Sequence, residues 1–394
     1  MNINIEAGEG PGYQPDLGNN LRDSSAGLSY NPDDEITDMA QWIRCEHIKA
    51  EIDRAGMLLI PWWKNKAAAP PELGAAYKII ENWRTSHAMP LLTFRMGLAN
   101  RAKRVDTKAI VAQRLKRFLS VMNKLAREPN MKLSQMQDLG GCRAIASHIK
   151  GVERLYELYR EMPGRSGEGT LKCYDYIHKP KPDGYRGIHV IGRYEAMAAK
   201  NEPWNGQRIE IQLRSQLQHA FATAVETVTT FTREPLKFGA GPAEWRRFFS
   251  LIGSEFAIRE GTPIVEGMPS DENEIVRELR ELTRALNVRQ RLQGWTDAMT
   301  KLRSRNIKGA KWLLLVLNIQ KNTIRVSGYA NRVKASNDLA EIEKGSRSGE
   351  IDAVLVWVDS ISYLRRAYPN YYADTKAFLE ELSIALQEKT AMTI

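Results

Sequence analysis

The stretch Asp175-Tyr-Ile-His-Lys-Pro-Lys-Pro-Asp-Gly-Tyr-Arg-Gly-Ile-His189 organises the chain. Pro180 and Pro182 hold the backbone extended and exclude helix, and Lys179 and Lys181 sit beside them. Asp183-Gly184 marks a turn, because glycine takes φ > 0 at no steric cost. Tyr185 emerges from that turn, and His189 follows on a strand, GIHVIGRYE, over 187–195. Cations followed by an aromatic ring suit a phosphorylated nucleotide or a nucleic-acid end. A hairpin loop whose tyrosine caps a core fits the same stretch equally well.

Working outward, CRAIASHI (142–149) is a buried strand by its apolar run and length, GVERLYELYREM (151–162) a helix and LKCYDYIH (171–178) a strand. RIEIQLRS (208–215) is another strand and LQHAFATAVETVTTF (217–231) a helix. Strands alternating with helices predict an α/β or mixed-sheet domain over roughly 76–235. Residues 1–32, rich in Gly, Asn, Asp, Ser and Pro, are expected to be loosely ordered. Helical spacing over 36–60 predicts one helix, and AAYKIIENWRTSHAM (75–89) a second, stopped by Pro90. Between residues 95 and 117 stand Arg95, Arg101, Lys103, Arg104, Lys108, Arg114, Lys116 and Arg117 against the single acid Asp106. An amphipathic helix, LKRFLSVMNKLAREP, continues from there.

Downstream, a Pro/Gly linker leads to FFSLIGSEFAIREG (248–261) and then to a helix of roughly thirty residues over 274–305, capped by Asp271 or Asn273. The remaining residues, 310–390, read as ββαβα, opening with a hairpin about Lys321-Asn322.

A chain of 394 residues implies two or three domains. Its formal charge of +10 favours an anionic partner. Three scattered cysteines, Cys45, Cys142 and Cys173, support neither a disulfide framework nor a cysteine-rich zinc site. The polar start, MNINIEAGEG, is no signal peptide, and no run approaches the ~20 apolar residues of a membrane span. A cytoplasmic protein without membrane association is expected.

Three clusters carry possible chemistry. Asp138-Leu-Gly-Gly-Cys-Arg143 sets a carboxylate before a buried strand. The second is the Lys/Tyr turn. In the third, Glu210-Ile-Gln-Leu-Arg214, period-2 alternation puts Glu210, Gln212 and Arg214 on one face. Two carboxylates beside a cationic loop fit Mg²⁺ held against substrate phosphates. Taken singly, Asp138 capping a turn and Glu210 pairing with an arginine explain the same residues. The histidines His47, His87 and His219 read as packing groups, and His148 and His178 as exposed strand ends.

DLGGCRAI, KPKPDGYRGIHVI and EIQLRSQLQHAFA, in this order, resemble the synthetase domain of the RelA/SpoT family over about 95–230. That resemblance implies transfer of pyrophosphate from ATP to a ribose 3′-hydroxyl. It makes Asp138 and Glu210 the catalytic residues and Mg²⁺ ligands. Arg101, Lys103, Arg114 and Arg117 are matched, with stretched spacing, to the family's RxK…KLxR segment, and with Arg143 would bind ATP. Lys179, Lys181, Tyr185, His189, Gln212 and Arg214 would form the acceptor side, with the base stacked on Tyr185.

No His-Asp dipeptide occurs, so the hydrolase domain of the long family members is not expected. The layout resembles the fused toxin–antitoxin (CapRel-type) branch. This implies an α+β chain: an N-terminus over 1–32, helices over 33–94, a mixed-sheet pyrophosphokinase over 95–235, a helical linker over 236–309 and a ββαβα pseudo-zinc-finger domain over 310–394. It further implies tRNA as acceptor, with release from autoinhibition by a phage protein; the alternative is an alarmone synthetase acting on GDP, GTP or adenosine nucleotides. Tyr368 and Tyr371 match the YxxY element that fills the adenine pocket in that branch. Residues 310–394 contain no cysteine or histidine, so zinc is excluded there by ligand chemistry. A non-enzymatic RNA-binding module with a decayed site is the remaining reading.

Overall fold

The structure, a computed structural model, describes residues 2–5, 42–64, 68, 70–116, 118–161, 171–232, 241–294, 296, 312–318, 321, 323–331, 334–335, 337–339, 342, 351–357 and 371–387. In chain order its elements are β1 (Asn2–Ile5), α1 (Lys49–Trp63), α2 (Leu73–Ser86), α3 (Ala88–Val105), β2 (Ile110–Leu115) and α4 (Phe118–Arg127). Then come β3 (Gly140–Ala146), α5 (Ile149–Glu161), β4 (Leu171–Asp175), β5 (Ile188–Arg193), β6 (Arg208–Ser215) and α6 (Gln216–Thr232). The remainder is α7 (Ala243–Glu260), α8 (Glu272–Ala285), β7 (Trp312–Asn318), β8 (Thr323–Tyr329), β9 (Ile351–Trp357) and α9 (Tyr371–Gln387).

The central sheet is mixed, in the order β2-β3-β6-β5-β4, with β3 and β6 parallel and the other pairs antiparallel. Alternation along each strand divides it into two faces. Ile209, Ile211 and Leu213 of β6, with Cys142 and Ala144 of β3 and Val190 of β5, pack on Phe94 and Leu98 of α3 and on Val152, Leu155 and Tyr159 of α5. The opposite face carries Arg143, Gln212 and His189 in one row across β3, β6 and β5, and Tyr174 of β4 ends that row opposite His189. The neighbouring row runs Arg114, Gly141, Glu210, Ile191 and Lys172.

Several expectations change. The first helix begins at Lys49, because residues 43–46 are pinned as an extended strap: Trp204 Nε1 donates to the Ile43 carbonyl at 2.9 Å and Asn82 Nδ2 to the Arg44 carbonyl at 3.0 Å. Pro90 stops nothing. It lies in the first turn of α3, where its missing N–H has no intrahelical partner to lose. The thirty-residue helix is broken after α8 at Asn287, whose φ is +48°. Asp271 caps α8 as expected, accepting from the Asn273 N–H at 3.0 Å.

α7, placed in a linker by sequence, is buried on all sides from Phe248 to Ala257, the mark of a helix inside a core. Around it lie Phe221 and Val228 of α6, Ile275 and Leu279 of α8, and Phe378 and Leu382 of α9. β7 and β8 form the expected hairpin, and β9 pairs with β7. Asn2–Ile5, expected to be loosely ordered, runs as a strand parallel to β8.

His87 is the packing residue foreseen: it is 1% exposed, its Nδ1 lies 2.8 Å from the Trp83 carbonyl, and its ring stands edge-on to that indole. Burial lowers its pKa to about 4. A histidine held neutral in the fold but free to protonate when unfolded withdraws stability as pH falls from 6.5 towards 4, by about 3 kcal/mol in full. Urea unfolding at pH 7.5 and 4.5 should show His87→Gln losing less on acidification than the parent. Equal losses would clear His87 of the effect.

Candidate active site

The polar face of the sheet, closed over by α4 and α6, encloses a cavity of about 520 Å³, within the range of ligand sites. Asp138, Arg143, Glu210, Gln212, Arg214, Lys181, Tyr185 and His189 all line it.

The loop carrying Tyr185 is fixed from below. Gly184 has φ +84°, as the turn requires, and Lys181 receives the Gly184 N–H on its carbonyl at 2.9 Å. Ser250 Oγ of α7 donates to the Pro182 carbonyl at 2.7 Å. A Cβ on Gly253 would lie 2.7 Å from the Gly184 carbonyl oxygen, so loop and helix touch backbone to backbone. Next along the loop, Arg186 Nη1 donates to Glu260 Oε2 at 2.6 Å and to Thr262 Oγ1 at 3.0 Å, closing the clamp at the end of α7.

Five side chains then form a closed ring of hydrogen bonds. His189 Nδ1 meets Glu210 Oε1 at 2.9 Å and its Nε2 meets the Tyr185 hydroxyl at 2.6 Å. Arg214 Nη2 donates to that hydroxyl at 3.0 Å and to Gln212 Oε1 at 2.9 Å, and Gln212 Nε2 returns to Glu210 Oε2 at 2.8 Å. Against burial, the Tyr185 phenol and the Glu210 carboxylate raise the His189 pKa to about 9. Against burial likewise, Arg214 and His189 lower the Tyr185 phenol to about 8. Burial pushes the Glu210 carboxyl up, but the His189 bond and charge and the Gln212 bond together outweigh it and hold Glu210 below its ordinary value.

Asp138 stands two residues before β3. It accepts from Lys116 Nζ at 2.7 Å and Lys124 Nζ at 3.0 Å. Despite burial, those ammoniums hold its carboxyl well below the usual carboxylate range. Its charge also reaches Glu210, whose carboxyl it pushes up. Each acid therefore keeps its charge, Asp138 against two lysines and Glu210 against His189. Neither of the bland pairings foreseen from sequence describes them.

Among the described residues no group of three or more His, Cys, Asp or Glu is placed so that it could hold a metal ion by itself. The donor set, two ionised carboxylates whose oxygens retain lone pairs, fits a cation that takes few protein ligands and fills its shell with water and phosphate oxygens, as Mg²⁺ does.

Not every residue matched from sequence reaches the cavity. Arg101 lies on α3, on the apolar side of the sheet, with Cζ 4.4 Å over the Tyr159 ring. Lys103 is exposed in the last turn of α3, where a cation suits the helix dipole. Lys179 is exposed and does not line the cavity. Arg117 and Tyr368 lie outside the described residues, as does the side chain of Tyr371, the first residue of α9.

Of the matched segment Arg114, on β2, does line the cavity, and it is joined there by Lys116 just after the strand and by Ser120, Lys124 and Arg127 of α4. The signal was present: Arg114-x-Lys116 and Lys124-Leu125-x-Arg127 spell RxK…KLxR without stretching. Nothing in the local sequence marks Arg186 and Glu260, which meet across 74 residues.

Residues 113–233 match the sequence model of the region found in RelA / SpoT proteins. The chain is 34% identical over 84 residues to the GTP pyrophosphokinase YwaC of Bacillus subtilis (strain 168), covering 20% of this chain and 38% of that protein. To an uncharacterized protein of Mycobacterium tuberculosis (strain ATCC 25618 / H37Rv) it is 27% identical over 138 residues, covering 35% of this chain and 46% of that one. The chain thus spans less than half the length of these relatives. Small alarmone synthetase 1 from Bacillus subtilis, bound to its product pppGpp, superposes with a TM-score of 0.39 at 18% identity, covering 47% of this chain and 94% of that one. No helix among the described residues is long and apolar enough to cross a membrane.

Proposed function

We propose, with the RelA/SpoT region as premise, that this chain is a pyrophosphokinase that moves the β,γ-pyrophosphate of ATP onto the 3′-hydroxyl of a nucleotide stacked on Tyr185. The observation that carries the reading is the shared cavity, where Asp138 and Glu210, both ionised, face Lys116, Lys124, Arg114 and Arg143 across from Tyr185.

In this reading Arg114, Lys116, Lys124, Arg127 and Arg143 hold the triphosphate and offset its charge, the main requirement of phosphoryl transfer. Glu210 takes the proton from the acceptor O3′, with His189 fixing its carboxylate. The O3′ forms a bond to the β-phosphorus, the bond from that phosphorus to the α,β-bridging oxygen breaks, and AMP leaves with the electron pair. Asp138 and Glu210 would hold Mg²⁺, which when bound supplies Lewis-acid neutralisation of the phosphates.

The acceptor we favour is the 3′ end of tRNA, as the fused toxin–antitoxin likeness implies. The second reading, a free guanosine nucleotide, is favoured by the relative named as a GTP pyrophosphokinase. The C-terminal unit restrains the enzyme until a phage protein releases it. In support, α9 packs on the core formed by α6 and α7, and α6 supplies Phe221, Ala222, Val225, Glu226 and Thr229 to the cavity wall.

ATP labelled at the γ-phosphate, offered with tRNA or with GDP to the full chain and to Tyr368→Ala, tests the reading. Label on tRNA, stronger with the variant, is expected. Label on GDP alone moves the acceptor to the second reading, and label on neither acceptor with either protein removes the enzyme.

A further inference from the structure

The cavity face of the sheet does not stop at the cavity. It continues onto the edge strand β4, where Lys172 and Tyr174 share one face, and Tyr176 follows in the turn after the strand. The Tyr174 and Tyr176 rings are parallel to within 5°, with centres 6.3 Å apart. Tyr176 in turn stands 6.1 Å from the Tyr185 ring and 5.2 Å from His189. Ammonium groups alternate with these rings. Lys172 Nζ lies 5.0 Å from the Tyr174 centre, and Lys181 Nζ lies 4.3 Å from Tyr176 and 5.1 Å from Tyr185. All three tyrosines are half-buried, and Lys172 is exposed.

A tyrosine opposite a histidine also stabilises an antiparallel pair, and lysines blunt sheet edges. Those roles do not require parallel rings stepping away from a nucleotide cavity with a cation beside each. Aromatic faces interleaved with ammoniums are how proteins hold single-stranded nucleic acid: rings take bases, cations take the backbone. Chemistry fixes the direction. A nucleotide that offers its 3′-hydroxyl to the cavity can be continued only from its 5′ side.

We infer that Tyr176 and Tyr174 are stacking platforms for the two nucleotides on the 5′ side of the acceptor nucleotide in a single-stranded RNA end, with Lys181 and Lys172 against the intervening phosphates. The inference rests on the reading that Tyr185 carries the acceptor base. It goes beyond that reading by giving the site two further subsites, which a free nucleotide does not use.

The test is binding of 5′-labelled oligoribonucleotides of one to four residues, each with a free 3′-hydroxyl, to the full-length protein, followed by fluorescence anisotropy. The first and second added nucleotides are each expected to tighten binding by about fivefold or more, and a third to add little. Tyr176→Ala should erase the first step and Tyr174→Ala the second, while Tyr176→Phe and Tyr174→Phe, which keep the ring, restore them. Lys172→Ala should flatten the salt dependence for the trinucleotide. A purely structural role for these tyrosines would not sort by oligonucleotide length. Equal affinity at all lengths, or length dependence surviving in both alanine variants, overturns the inference. Label transfer from ATP is scored separately. Length-dependent binding without transfer by either the parent or Tyr368→Ala upholds the platform and refutes the pyrophosphokinase, whereas transfer to mononucleotides with flat binding does the reverse.

Discussion

Glu210→Gln is expected to cut pyrophosphate transfer by 10²–10⁴-fold, the range associated with losing a positioned general base. The substitution keeps the shape of the side chain and removes its charge, so the effect falls on kcat more than on KM. In the parent, Glu210 Oε1 faces His189 Nδ1 and Oε2 faces Gln212 Nε2, both donors to a carboxylate. An amide at 210 turns one of these oxygens into a donor and sets it against another donor. The ring through Tyr185 and Arg214 must then open or Gln212 must flip. The same change deprives the His189 imidazolium of its counter-charge. Radiolabel transfer with saturating ATP, beside a melting curve showing an intact fold, checks the expectation. Activity within tenfold of the parent would take Glu210 out of the chemistry.

A second large effect belongs to stability. Arg186 is 2% exposed and its partner Glu260 8%. Glu260 Oε2 also accepts from Gln218 Nε2 at 3.0 Å, and Oε1 accepts from Ser215 Oγ. Glu260→Ala leaves a guanidinium inside the protein without its principal acceptor, a loss of about 3–5 kcal/mol where one member of a buried pair is removed. Glu255, buried nearby, supplies some residual negative charge to Arg186. Combining Glu260→Ala with Arg186→Met should recover part of that loss, since the pair together costs desolvation that neither half repays alone. Urea unfolding of both single variants and the double variant gives the coupling. A single variant within 1 kcal/mol of the parent would mean that water reaches the site and the pair is ornamental.

What was legible in the sequence follows from what is local. Alternation in β6 needs only the strand itself, so Ile209, Ile211 and Leu213 fall in the core and Glu210 and Gln212 in the cavity, as expected. Gly184 needs only its own φ. Cations are different, because charge shows in a sequence but direction does not. Arg101 and Lys103 ride a helix that packs on the apolar side of the sheet, whereas Lys116 and Lys124 leave β2 and α4 on the polar side. Pro90 misled because proline ends a helix from within yet opens one from its first turn. α7 misled because an apolar helix declares that it is buried without declaring beneath what.

That helix has a consequence for any shortened form of the protein. On one flank it grips the loop at 182–186. On the other, Phe256 meets Phe378 at 6.1 Å between ring centres, and Arg259 Nη2 meets Glu381 Oε2 at 2.5 Å. The tail is therefore part of the same apolar core that forms the floor beneath Tyr185. Clipping it strips oily surface bare and slackens the floor in one cut, so a truncated chain would report damage and liberation together, while point changes along α9 would tell them apart.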